Sequence, residues 1–433
     1  MEGAQSATEQ GSRPRRYAVR VLGRTFQAAV RCLYRVEVTG LENFSRAPST
    51  LIVANHRDDA DGPIISSVLV GKRDLTQPGV LPHFVAREDL CRHAFLRAYL
   101  DRWPWFLRAM LGLIDVRPLV AALQAHPMRR IRERAVGEVL EDVLEVFGDL
   151  PLEQVLKTRW AKRFEAFNGG KPLSVADALT RRYRRLYYER GGLSVLTLKR
   201  YRAIKPYQRA AIQQQLQTFV GLLEAGELVQ LAPEGVISPD GTFARPRGAL
   251  HTLVNTPRAP VRLLPVSITY DYMTTGRPRV FVNVGSEQTK LRGLSRRDTD
   301  RRVMELIVSE ATVTVTHLAS DSLRSMRVQG RSAFSARQLC SVVGDAAMRC
   351  AAAGYRVDAG LLDESSRWRR IGDYLDYCVR DGILAVNGQD RYHIVGLAVQ
   401  RPLRSGWRDG GFWFAVQELQ ALLGSWRQDR ATP

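Results

Sequence analysis

Long apolar runs are missing from this chain. No stretch reaches the ~18 apolar residues that a membrane-spanning helix requires. The N-terminus has no unbroken apolar signal-peptide core; Arg15-Arg16 suggests a twin-arginine signal, but Arg20 and Arg24 interrupt the segment after it. Cysteine is scarce: five in 433 residues, Cys32, Cys91, Cys340, Cys350 and Cys378, never as a Cys-x-x-Cys pair. That argues against a disulfide framework and a structural zinc site, and for a reducing, cytosolic setting. No Gly-x-Ser-x-Gly elbow is present, so no serine nucleophile of that kind is expected. Acids are also in deficit, 44 Asp and Glu against 64 Lys and Arg, a net charge of +20. A chain so basic implies an anionic partner: nucleic acid, an acidic membrane surface or a phosphorylated substrate.

What is present reads as globular protein. At 45% hydrophobic and 25% charged, the length suggests two or three domains. Residues 1–14 are polar and read as a disordered tail. Tyr17 to Arg35 has helical apolar spacing through Val19, Leu22, Phe26, Ala29, Val30 and Leu33, with a basic stripe of Arg20, Arg24, Arg31 and Arg35. That pattern suits an interfacial membrane helix and a packed surface helix equally. Strands are predicted at 36–40, 50–54, 84–86, 114–118, 228–232, 261–270 and 279–284, with an aromatic-rich helix over 91–112 carrying Trp103, Trp105 and Phe106. The alternation of strands and helices predicts an α/β domain over 15–295, with a central, mixed, largely parallel sheet flanked by helices.

Residues 119–207 interrupt that pattern as a basic helical insertion. Between Lys157 and Arg209 there are 15 Lys and Arg against three acids, a local charge of +12. Its centre, Arg181-Arg182-Tyr183-Arg184-Arg185-Leu186-Tyr187-Tyr188, suits a phosphate-rich surface, whether lipid headgroups or nucleic acid. Residues 296–433 form a third region. There, helices over 335–353 and 368–379 precede a strand, an Asn387-Gly388 turn and a second strand, a winged-helix-like order.

The richest stretch is Asn55-His56-Arg57-Asp58-Asp59-Ala60-Asp61-Gly62. It follows the apolar strand Thr50-Leu51-Ile52-Val53-Ala54 and precedes a helix entered at Pro63. In an unbroken helix His56 and Asp61 would sit roughly 140° apart; a turn would instead bring them together. An imidazole held by a carboxylate serves as a general base near neutral pH, and Asp58 and Asp59 are alternative partners by spacing. The other histidines, His83, His93, His126, His251, His317 and His393, read as structural or exposed, and no metal-binding cluster emerges.

Four elements occur in order: His56-x4-Asp61, then Gly112-Leu113-Ile114-Asp115-Val116-Arg117, then Ala232-Pro233-Glu234-Gly235, then Leu263-Leu264-Pro265-Val266. Together they resemble the glycerophospholipid acyltransferase superfamily, over about residues 36–290. The resemblance implies an O-acyltransferase of phospholipid biosynthesis. It would move a fatty acyl group from a thioester to a hydroxyl of glycerol phosphate, lysophosphatidic acid or a related lysophospholipid. It needs no cofactor; acyl-CoA or acyl carrier protein is the co-substrate. His56 matches the family's base and Asp61 the carboxylate that orients it. Arg117 matches a phosphate-binding arginine, and Glu234 and Gly235 match the third element, where Glu234 holds acceptor hydroxyls or organises the loop. Where the family continues Glu-Gly-Thr-Arg-Ser, this chain has Val236-Ile237-Ser238. Arg245 or Arg247 is then the candidate for the missing charge. Pro265 and Val266 shape the acyl pocket or the core.

With no spanning helix, the expected setting is cytoplasmic, peripheral on an anionic inner membrane face. The competing reading is a catalytically inactive acyltransferase fold with a regulatory or nucleic-acid-binding role; nucleic acid is the disfavoured partner, because an intact His56/Asp61 pair has no use there.

Overall fold

The computed structural model describes residues 13–71, 81–87, 124–129, 134–189, 191–238, 240–388, 390–396 and 411–430. The chain forms two compact units, Met1–Phe84 with Val220–Pro433, and Val85–Phe219. The second contains the predicted insertion. Residues 296–433 fall in the first, together with the sheet.

The first unit is built on strands β1 (Arg35–Thr39), β2 (Thr50–Ala54), β3 (His83–Arg87, of which His83 and Phe84 fall in this unit), β5 (Val229–Leu231), β6 (Arg262–Asp271) and β7 (Arg279–Val284), in the order β1-β7-β6-β2-β5-β3. A short strand β4 (Ala125–Met128), not foreseen from sequence, belongs to the second unit. Every pairing in that order is parallel except β6 with β7, so the largely parallel, mixed sheet is borne out. Strand β2 is central, and Leu51, Ile52 and Val53 have no exposure at all. A strand covered on both faces reads as a continuous apolar run, which is how Thr50–Ala54 reads. Each such side chain contributes roughly 1.5–3 kcal/mol on burial. Pro265, opposite Val53, and Val266 lie buried in β6, the core role of the two expected for them.

Helix α1 (Arg13–Leu33) covers the predicted amphipathic segment as far as Leu33, Arg35 of the expected basic stripe instead opening β1, and α2 (Asp61–Val70) follows the His56 turn. Pro63 falls in the first turn of α2, where its missing N–H costs no helical hydrogen bond. Beyond β7 the β-branched stretch near 312–316 resolves into a two-residue strand, Thr312–Val313, and a helix, Val315–Val328. The winged-helix-like region follows as Ala333–Ser335, helices Ala336–Ala352 and Glu364–Arg380, then strands Leu384–Val386 and Arg391–Ile394 in a three-stranded antiparallel sheet. Helix Gly411–Arg430 closes the described chain.

The second unit is mostly short helices around their own core, which includes Val139, Leu140, Phe164, Leu186 and Ile204. A buried Arg134–Asp142 ion pair with Gln208 crosses it. The Arg/Tyr run divides here: Tyr183 and Leu186 are buried, while Arg181, Arg182, Arg185 and Tyr188 face outward. The basic face exists, but its central tyrosine belongs to the core rather than the surface. The predicted helix over 91–112, with Trp103, Trp105 and Phe106, and the strand bearing Arg117 lie outside the described residues.

Candidate active site

The turn between β2 and α2 wraps around one carboxylate. Asp61 is the first residue of α2, and its N–H returns to Asp58 O at 3.1 Å. That return brings Oδ2 of Asp61 to three donors: His56 Nδ1 at 2.9 Å, Arg57 N at 2.5 Å and Asp58 N at 2.9 Å. Tyr270 Oη on β6 donates to Oδ1 at 2.6 Å. A carboxylate only accepts, so Nδ1 of His56 carries the proton and Nε2 is left with a lone pair. Burial, reinforced by the Asp61 charge, pushes the Tyr270 hydroxyl well above its ordinary value, so it stays a donor. Of the three acids within spacing of His56, Asp61 is the one on its ring. The histidine side chain keeps 17% exposure against 5% for the aspartate; the imidazole is partly open and the carboxylate is buried.

Two further anchors hold the turn. Asn55 exchanges both side-chain hydrogen bonds with the backbone of Ile268, each at 2.8 Å, pinning the end of β2 to β6. Glu234, 1% exposed, follows β5. Its Oε1 accepts the N–H of His56 at 3.2 Å and its Oε2 the N–H of Ala244 at 2.7 Å. Both oxygens are thus engaged with backbone on the two sides of the loop. Burial pushes its carboxyl up, against the pull of the nearby Arg57 charge.

Gly235 has φ +64, and a Cβ there would meet Arg247 Cδ at 2.9 Å. The position therefore needs glycine both for its backbone and for the arginine packed on it. Arg247 Nε donates to the Glu234 carbonyl at 3.1 Å, and its own N–H to Pro233 O at 2.8 Å. Arg245, by contrast, is exposed. Of the two, the half-buried Arg247 is built into the loop beside Glu234. Arg117 lies outside the described residues.

Sequence reasoning missed four contributors: Asn55, Arg57, Tyr270 and the C-terminal Glu418. Arg57 is 1% exposed. Its Nε pairs with Glu418 Oε1 at 2.8 Å, Nη1 donates to Thr242 O at 3.1 Å, and the guanidinium lies 4.1 Å from the centre of the Phe243 ring. Asn55 and Arg57 flank the histidine and were open to being read as part of the motif. Tyr270 sits two residues along β6 from Ile268, on the same face by alternation. Glu418 had no local signal of any kind.

Chemically the arrangement is an imidazole held by a carboxylate, a pair that can serve as a general base at Nε2. No group of His, Cys, Asp and Glu suited to hold a metal occurs among the described residues.

Residues 35–109 match the family model described as Acyltransferase, a span that runs from β1 through the His56 turn, in agreement with the resemblance read from the four sequence elements. Nothing among the curated proteins matches the chain. Among solved structures, a similar one is the 1-acyl-sn-glycerophosphate (LPA) acyltransferase PlsC from Thermotoga maritima, at 15% identity and a TM-score of 0.33, covering 69% of this chain and 81% of that one. That likeness is too slight to bear on function.

Proposed function

We propose that this acyltransferase transfers a fatty acyl group from an acyl thioester, carried on CoA or acyl carrier protein, to a hydroxyl of glycerol phosphate, lysophosphatidic acid or a related lysophospholipid. The observation that carries the reading is the 2.9 Å contact between His56 Nδ1 and Asp61, which directs the Nε2 lone pair away from the carboxylate. An alcohol is a weak nucleophile until a base takes its proton. Nε2 takes that proton as the hydroxyl oxygen attacks the thioester carbonyl. A C–O bond forms, the C–S bond breaks, and the proton on the imidazolium is available to the departing thiolate. Asp61 stabilises the imidazolium while it exists, as the carboxylate does in a serine hydrolase triad.

The acceptor assignment draws on charge. A phosphate monoester suits an arginine fork; Arg117, by the sequence resemblance, and Arg247, beside Glu234, are each proposed candidates for that role. The setting we propose is peripheral, on an anionic cytoplasmic membrane face. No helix of the described residues is long and apolar enough to cross a membrane. Exposed Arg24 and Arg31 lie on α1 near Val21 and Leu33, which are 43% and 62% exposed. The second unit shows Arg181, Arg182 and Arg185 with exposed Phe167 and Tyr188. Each Lys or Arg near an anionic bilayer contributes about 1 kcal/mol.

The test is transfer of a radiolabelled acyl chain from acyl-CoA to a panel of glycerol phosphate and lysophospholipid acceptors, with products resolved by mass spectrometry. Wild-type protein forms acylated lipid and His56→Ala loses about 10²–10⁴ in rate. Equal product from both proteins, or none from wild type with any acceptor, would overturn the assignment.

A further inference from the structure

The geometry points to Glu418 and His317, both in the C-terminal region, as positioning residues for the active-site turn. This rests on the acyl-transfer reading of His56.

Arg57 ties together the two supports of His56. Its backbone N–H is one of the three donors on Asp61 Oδ2. Its side chain reaches Thr242 and Phe243, next to Ala244, whose N–H holds the Glu234 carboxylate that in turn accepts the His56 N–H. What holds Arg57 is the C-terminal helix. Glu418 is 4% exposed; one oxygen lies 2.8 Å from Arg57 Nε and the other 3.0 Å from His317 Nε2. His317 has no exposure, and its Nδ1 accepts the Thr314 N–H at 3.2 Å. With Nδ1 an acceptor, Nε2 carries the proton and donates it to Glu418. The glutamate is fixed from behind and faces Arg57.

The helix is also pressed against the Glu234 loop, since a Cβ on Gly241 would meet the Phe414 carbonyl at 2.3 Å. Without the Glu418 charge, Arg57 is a buried cation, and Glu234 is a carboxylate within reach of its charge. An uncompensated buried charge seeks a partner. Turning toward Glu234 would draw that carboxylate off the His56 N–H and shift the base.

Glu418→Gln keeps the shape and removes the charge, and Val343→Ala opens a cavity in the C-terminal core as a control for stability alone. Steady-state transfer, thermal melting and the ¹⁵N shifts of the His56 ring are measured on wild type, Glu418→Gln, Val343→Ala and His317→Gln. We expect Glu418→Gln to lower kcat by about 10²-fold, the scale of a misplaced reacting group, with both KM values within about twofold, because Glu418 and His317 are buried and act through Arg57. His56 should lose its single tautomer in Glu418→Gln and keep it in Val343→Ala. His317→Gln should fall between Glu418→Gln and wild type. Loss of kcat in proportion to melting temperature in both Glu418→Gln and Val343→Ala would overturn the inference, as would an unchanged His56 spectrum. The ¹⁵N readout needs no substrate, so it separates failure of this inference from failure of the acyl-transfer reading, which wild-type turnover reports.

Discussion

Replacing Asp61 by asparagine separates its charge from its shape. In the wild type its two oxygens accept four donors. Asparagine oriented with its oxygen toward His56 still accepts from the ring and from the N–H groups of Arg57 and Asp58. Its NH₂ then faces Tyr270, whose hydroxyl turns to accept. Packing is retained, so folding loses little, in contrast to Asp61→Ala, which strands two N–H donors and a buried hydroxyl at about 1–3 kcal/mol each. What asparagine removes is the attraction to the imidazolium. Two unit charges about 4 Å apart at an effective dielectric near 20 interact by about 4 kcal/mol, and a charge-assisted hydrogen bond is worth about 1.5–3 kcal/mol net. Taking about 3–4 kcal/mol off transition-state stabilisation, at 1.36 kcal/mol per decade, predicts a rate about 10²–10³-fold lower. The assay is thiol release from acyl-CoA in the presence of acceptor, with melting curves on the same samples. Asp61→Asn within twofold of wild type would refute the assignment, and so would a larger loss for Asp58→Asn.

Arg117→Ala should raise the acceptor KM far more than the thioester KM; equal effects would make Arg117 structural. The protein should sediment with anionic liposomes and far less with neutral ones. Salt should release it, since exposed charges are screened over ~8 Å at physiological ionic strength; neutralising Arg181, Arg182, Arg184 and Arg185 should weaken binding more than neutralising as many basic residues after 300, and equal effects would move the membrane face to α1. The Glu418 carboxyl is held below its ordinary value of 4.5: burial opposes ionisation, but the Arg57 charge and His317 outweigh it. Its folded state therefore binds the proton less tightly than the unfolded chain, and its stabilisation is present above the ordinary value and lost as pH falls through the folded one. Denaturant melts should show the stability gap between wild type and Glu418→Gln shrinking as pH drops below that value, and a gap constant with pH would contradict the pairing.

The inner strands of the sheet were legible because they are buried on both faces: Thr50–Ala54 and Arg279–Val284 emerge with the bounds read from their apolar runs. Residues 312–316 were not, because Thr and Val favour strand locally while Thr314, accepting as an N-cap, starts a helix instead. The site divides the same way. His56 and Asp61 share one turn, so their spacing exposed them, and Glu234 followed a strand at a Pro-Glu-Gly corner. Glu418 is different in kind. A glutamate at position 418 on an apolar helix reads as a surface charge, and only the fold shows that it meets Arg57 in the interior. A buried ion pair costs desolvation that its own attraction barely repays, so stability is a weak reason for placing one beside the His56 turn. What the pair supplies is a fixed direction for Arg57, and through it for the N–H on Asp61. In that light the C-terminal region is part of the turn's construction, joined to it through the Glu418 carboxylate and through the close approach of Phe414 to Gly241.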